Sequence, residues 1–199
     1  MKSDYLDPQI YEKLYHVMQY DNILALRVSL ETGLRIDDVL RLRWDSFKKG
    51  TKFTFTAKKT GKTGTKSISK DLYSRLFNRR TASPFVFPGR KRGKHKTRQA
   101  IWKDIKKAVG VLGIDGNISP HSARKTYAVK LRDTEGLSAV QKELQHDNME
   151  TTMIYAFSDL ATKTKAGGSG TTTTSDAEII ARRVVELLTP LLDEIKKRC

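Results

Sequence analysis

The sequence predicts an α+β fold, mainly α-helical, with one small antiparallel β-hairpin sheet. Three observations predict it. Apolar residues recur at helical spacing in several stretches between about residues 8 and 156. One early stretch, Lys52-Phe-Thr-Phe-Thr-Ala57, instead alternates and is rich in β-formers. Capping residues, glycines and prolines fall between these stretches, where elements must start and stop.

The elements follow in order. Asp7-Pro8 reads as an N-cap and first helical position, with Ile10, Leu14, Val17 and Met18 on one face of a helix over about 8–19. A second helix is expected from Asp21 or Asn22 to Leu30, with Gly33 ending it. Arg35 opens a short third helix to about Leu42. After the strand at 52–57, Thr60-Gly-Lys-Thr-Gly64 is a turn, and 65–69 supplies the return strand. Asp71 to Arg79 reads as helix. Pro84-Phe-Val-Phe-Pro88 is too short and proline-bounded for a helix, so a short strand or extended segment is expected. Helices follow at about 98–111, at 120–132 behind the cap residue Ser119, at 138–144 and at 150–156.

Composition then changes. Residues 163–174, with Ala166-Gly-Gly-Ser-Gly170 and the run Thr171 to Thr174, read as a flexible linker. Ser175-Asp-Ala-Glu178 is a capping box ahead of an apolar helical stripe from Ile180 to Ile195. The organisation expected is a main domain over 1–162, a linker over 163–174, and a C-terminal amphipathic helix over 175–199. That helix could pack on its own domain or dock on a neighbouring protomer.

Charge narrows the function. Lys and Arg total 38 against 22 Asp and Glu, a net charge of +16. Such an imbalance repels itself, and a polyanion relieves it, so nucleic acid is the expected partner. Residues 176–199 hold five acids and five bases, so the excess lies upstream. Cys199 is the only cysteine, which rules out an intrachain disulfide. The opening residues carry no apolar signal-like run, and no stretch approaches the roughly 18 apolar residues of a membrane span. A cytoplasmic protein without a membrane partner is expected.

Six residues form an ordered set: Arg35, Lys59, His121, Arg124, His146 and Tyr155. Singly, each has a bland explanation, such as a solvated lysine or a core tyrosine. Their contexts are more specific. Thr32-Gly-Leu-Arg35-Ile-Asp-Asp38, Ala57-Lys-Lys59-Thr-Gly61, Pro120-His121-Ser-Ala-Arg124 and Leu144-Gln-His146 through Ile154-Tyr155 resemble, in order and spacing, four boxes of the tyrosine recombinase (phage integrase) family. The resemblance spans about residues 8–160 and implies that family's helical catalytic-domain bundle.

It also implies a chemistry. Tyr155 would attack a DNA phosphodiester, with His121 helping to take its proton and Lys59 protonating the leaving 5′ oxygen. Lys58 is adjacent, and the choice between the two lysines stays open. Arg35 and Arg124 would grip the non-bridging oxygens, as planar guanidinium groups can. His146 would add a hydrogen bond there, and Asp38 would orient an arginine or its helix. A 3′-phosphotyrosyl link would form and later be reversed. One phosphodiester replaces another, so no cofactor, ATP or metal is expected. The glycine that a P-loop needs upstream of Gly61-Lys62-Thr63 is missing.

Double-stranded DNA is the expected partner, with self-association into a tetramer on it. Arg90, Lys91, Arg92, Lys94, Lys96, Arg98 and Lys125 are expected at the DNA, mostly on phosphates. Family members also carry an N-terminal core-binding domain that closes around the duplex. The present stretch alone would therefore bind weakly, with steep salt dependence. Two other readings compete: a type IB topoisomerase-like nicking-resealing enzyme, and a basic DNA- or RNA-binding module without catalysis.

Overall fold

A computed structural model of the chain describes residues 3–47, 50–144 and 149–160. It divides into two compact units, one up to Tyr127 and one from Ala128. The fold is mostly helical with a two-stranded antiparallel sheet. The linker and terminal helix expected beyond residue 162 lie outside the described residues.

The first unit is built around one apolar core. Helix α1 (Pro8–Val17) starts as expected: Asp7 accepts the Gln9 N–H, and Pro8 occupies the first turn. Helix α2 (Tyr20–Thr32) begins before Asp21, without a side-chain cap of its own. Its cap is tertiary. Asp104 accepts the Gln19 N–H at 2.9 Å and the Asn22 amide at 2.7 Å, so Asn22 is committed to the interior. Gly33 ends α2 in the left-handed region at φ 68°, which only glycine enters without cost. Helix α3 (Ile36–Leu40) follows after Gly33, Leu34 and Arg35, and its buried Ile36, Val39 and Leu40 face the core.

The hairpin pairs β1 (Lys52–Thr56) with β2 (Thr63–Ser67), Phe53 opposite Lys66 and Phe55 opposite Gly64. Alternation buries Phe53 and Phe55, while β2 stays partly open to solvent. The return strand begins at Thr63, two residues before the expected point. The turn is tighter than its sequence suggested: the Gly61 N–H reaches the Ala57 carbonyl at 2.8 Å, and Gly61 takes φ 67°. Helix α4 (Lys70–Phe77) is capped by the Ser69 hydroxyl. Phe47, Phe53, Tyr73 and Phe77 stack along this side of the unit.

Pro84 to Pro88 is extended, bridging Arg43 through Phe85 and His95 through Pro88. A Cβ at Gly89 would lie 2.5 Å from the His95 carbonyl oxygen, so the two arms of the 88–95 loop can close only on glycine. Helix α5 (Arg98–Val111), capped by Thr97, buries Ile101, Ile105, Ala108 and Val109.

Helix α6 (Pro120–Glu135) runs from the first unit into the second, three residues longer than expected. Gly136, at φ 84°, sends its N–H back to the Arg132 carbonyl and ends it. In the second unit, α7 (Leu137–Leu144) packs on α8 (Met149–Ala156). Leu137, Val140 and Leu144 of α7 are buried, as are Thr152 and Ala156 of α8. No helix among the described residues is long and apolar enough to cross a membrane.

Candidate active site

The segment before Arg35 is heavily tied. The Ser29 hydroxyl donates to the Leu34 carbonyl at 2.7 Å, and the Thr32 hydroxyl to the Val28 carbonyl. The chain therefore leaves α2 in one conformation, and Arg35 sits half-buried at the N-cap of α3.

Arg124 joins this segment from α6. It is 3% exposed, and its Nη1 donates to the Gly33 carbonyl, two residues from Arg35. Two boxes ninety residues apart in sequence thus share one place. Replacing Arg124 by Met is expected to cost about 1–3 kcal/mol, because the buried Gly33 carbonyl loses this donor. A thermal melt with an unchanged midpoint would contradict that anchoring role.

His121 lies one helical turn before Arg124 and is half-buried. Its imidazole titrates below the ordinary value of 6.5. Burial is the main cause, the positive fields of Arg98 and Arg124 add to it, Asp37 opposes them, and Arg35 adds least. His121 is therefore neutral at neutral pH and able to accept a proton.

Asp38 is 3% exposed, and its role differs from the one expected. Its carboxylate accepts the Lys58 backbone N–H at 2.9 Å, rather than an arginine. It pins the start of the hairpin turn to α3. Lys58 and Lys59 then project from that turn as exposed side chains.

Tyr155 lies in the last turn of α8 in the second unit, half-buried. His146 falls outside the described residues. The first unit thus gathers Arg35, His121 and Arg124, with Asp38 holding the lysine-bearing turn. Tyr155 belongs to the other unit.

The residues expected at DNA divide. Arg90, Lys91, Arg92, Lys94 and Arg98 are exposed. Lys96 is turned inward: its ammonium donates to Asn22 Oδ1 at 2.8 Å and lies 3.6 Å from Asp21. Lys125, expected at DNA, points inward instead. It is 7% exposed, and its ammonium donates to the Ser3 carbonyl, so it anchors the N-terminal segment instead. Arg98 does more than expected, since its charge reaches His121. A groove of about 380 Å³ opens beside them, lined by Arg98, Gln99, Trp102, Asn117 and His121 among others.

The two arginines and the histidine thus gather where the start of α3 meets the first turns of α6. The chain belongs to the phage integrase family, whose match covers residues 4–161. It is 30% identical over 142 residues to tyrosine recombinase XerD of Listeria innocua serovar 6a, covering 65% of this chain and 48% of that protein. The chain thus spans about half the length of this curated relative. In fold it is similar to a lambda integrase dimer bound to a COC′ core site, with a TM-score of 0.66 and 16% identity over 78% of this chain and 48% of that one. It is also similar to the catalytic domain of bacteriophage HP1 integrase, with a TM-score of 0.56 and 24% identity over 79% of this chain and 89% of that one.

Proposed function

We propose that this chain is the catalytic domain of a site-specific DNA recombinase that cuts and rejoins strands through Tyr155. One observation carries most weight. Arg124, one turn after His121, bonds the backbone two residues from Arg35, which brings these boxes to one place.

The steps use the chain's own groups. Arg35 and Arg124 hold the non-bridging oxygens of the scissile phosphodiester and stabilise the charge that builds on them. His146 adds a hydrogen bond to the same oxygens. The Tyr155 hydroxyl loses its proton to His121 as its oxygen attacks phosphorus. The bond from phosphorus to the 5′ oxygen breaks, and that oxygen takes a proton from Lys59. DNA is left joined to Tyr155 through its 3′ phosphate. Attack by a 5′ hydroxyl reverses the step and reseals a strand. One phosphodiester is kept throughout, so no cofactor or energy source is consumed.

Arg90, Lys91, Arg92, Lys94 and Arg98 serve the duplex, mostly through phosphates. The full assembly on DNA would be a tetramer in the cytoplasm.

Covalent trapping tests the reading. The chain is incubated with nicked duplexes of random sequence, from which the cleaved short fragment diffuses away. The expected result is a DNA adduct on the peptide carrying Tyr155, found by mass spectrometry. DNA bound only non-covalently, with an added core-binding domain present, would refute it.

The lowered His121 pKa gives a pH signature. At pH values above its folded pKa the imidazole is neutral and accepts the tyrosine proton. As pH falls through that value, the base is lost and the rate drops. The acid limb of adduct formation is therefore expected below pH 6.5, the ordinary imidazole value. His121→Gln should remove the limb. A limb above 6.5, or one that survives the substitution, would exclude His121 as the base.

A further inference from the structure

The end of α8 is held by an arginine that the motifs do not include. Arg132, in the second unit's part of α6, is 7% exposed. Its Nη1 donates to the Ala156 carbonyl at 2.6 Å, the residue after Tyr155. The same guanidinium spans both oxygens of Asp159, at 3.0 and 3.3 Å. Nε and Nη2 reach Asp133 at 2.9 and 2.7 Å. The Phe157 ring lies 5.4 Å from the guanidinium carbon. A second bond helps, from the Ser158 hydroxyl to the Tyr155 carbonyl at 2.8 Å.

Two physical points give this cluster a purpose. An eight-residue helix is too short to hold itself, and its last carbonyls have no partner within it. A cation at that end satisfies one carbonyl and complements the helix dipole. The cluster is also a poor way to gain stability alone. A buried ion pair is matched or bettered by packed apolar side chains of the same volume. What an apolar side chain cannot supply is direction, and the guanidinium fork fixes the Ala156 carbonyl and Asp159 in one geometry.

We propose that Arg132 is a positioning residue for strand cleavage. By gripping the Ala156 carbonyl and the Asp159 carboxylate, it holds the last turn of α8 so that the Tyr155 hydroxyl is aimed. The proposal rests on Tyr155 being the nucleophile. Arg132 acts through the helix end and touches no reacting atom.

The test uses the full chain and the DNA recovered by covalent trapping. Arg132→Met, Arg132→Lys and Asp159→Asn are compared with wild type in three readouts: amide hydrogen exchange, DNA affinity and adduct rate. In Arg132→Met and Asp159→Asn, exchange over 153–160 should quicken about tenfold, with α2 and α5 unchanged. Adduct formation should slow by about 10- to 100-fold, as small misplacements of a reacting group do, at unchanged DNA affinity. Arg132→Lys, which keeps the charge, should recover part of the rate. If Arg132→Met also loosens α2 and α5, Asp159→Asn decides, since it preserves shape and leaves the Ala156 bond in place. Variants that cleave at the wild-type rate, or leave exchange at 153–160 unmoved, would overturn the positioning role alone. A wild type that forms no Tyr155 adduct would overturn the nucleophile and the positioning role with it.

Discussion

Tyr155→Phe is expected to bind DNA as wild type does and to form no covalent adduct. The substitution removes one oxygen and keeps the ring, so the packing of α8 is preserved. That matters because Tyr155 is half-buried beside the buried Thr152 and Ala156. The chemistry has no substitute. Water attack would release the strand rather than hold it, and no captured species would survive denaturation. Loss of a covalent nucleophile costs on the order of 10⁴-fold or more in rate. The measurement is a denaturing gel beside an affinity titration. An adduct that persists in the variant would move the nucleophile to another residue. Loss of adduct together with loss of affinity would make the tyrosine a binding or packing group.

Lys59→Ala is expected to slow cleavage by about 10² to 10⁴-fold, the usual worth of a positioned general acid. The effect should depend on the leaving group. An alkoxide needs a proton as it departs, whereas a thiolate, with a thiol pKa of about 8.5, does not. A substrate with sulfur at the bridging 5′ position should therefore restore most of the rate. Lys58→Ala should change little, because the structure engages Lys58 through its backbone N–H, held by Asp38. If the sulfur substrate rescues Lys58→Ala and not Lys59→Ala, the two roles are exchanged. If it rescues neither, the acid lies elsewhere.

Asp38 shows where local reading ends. Its spacing from Arg35 marked it, and the expected partner was an arginine or the helix. The actual partner, the Lys58 N–H, comes from a hairpin twenty residues on. Arg132's grip on the end of α8 carried no local signal, since Ala156 and Asp159 lie 24 and 27 residues away and only Asp133 is adjacent. Lys125 looked like its basic neighbours and proved to be an internal anchor. Charge in a sequence does not say which way a side chain points.

The sequence by itself determined what short-range physics controls. Asp7-Pro8, Thr97 and Gly33 set helix ends through local bonds and a backbone angle open to glycine. Alternation at 52–56 set the strand, and the four boxes set the family. Only the tertiary structure decided that Asp104 caps α2, that Arg124 meets the Arg35 segment at Gly33, and that Asp38 holds the lysine turn. Those contacts bind segments that are distant in sequence. They are stable only because the buried core brings the segments together and removes the water that would otherwise satisfy the same polar groups.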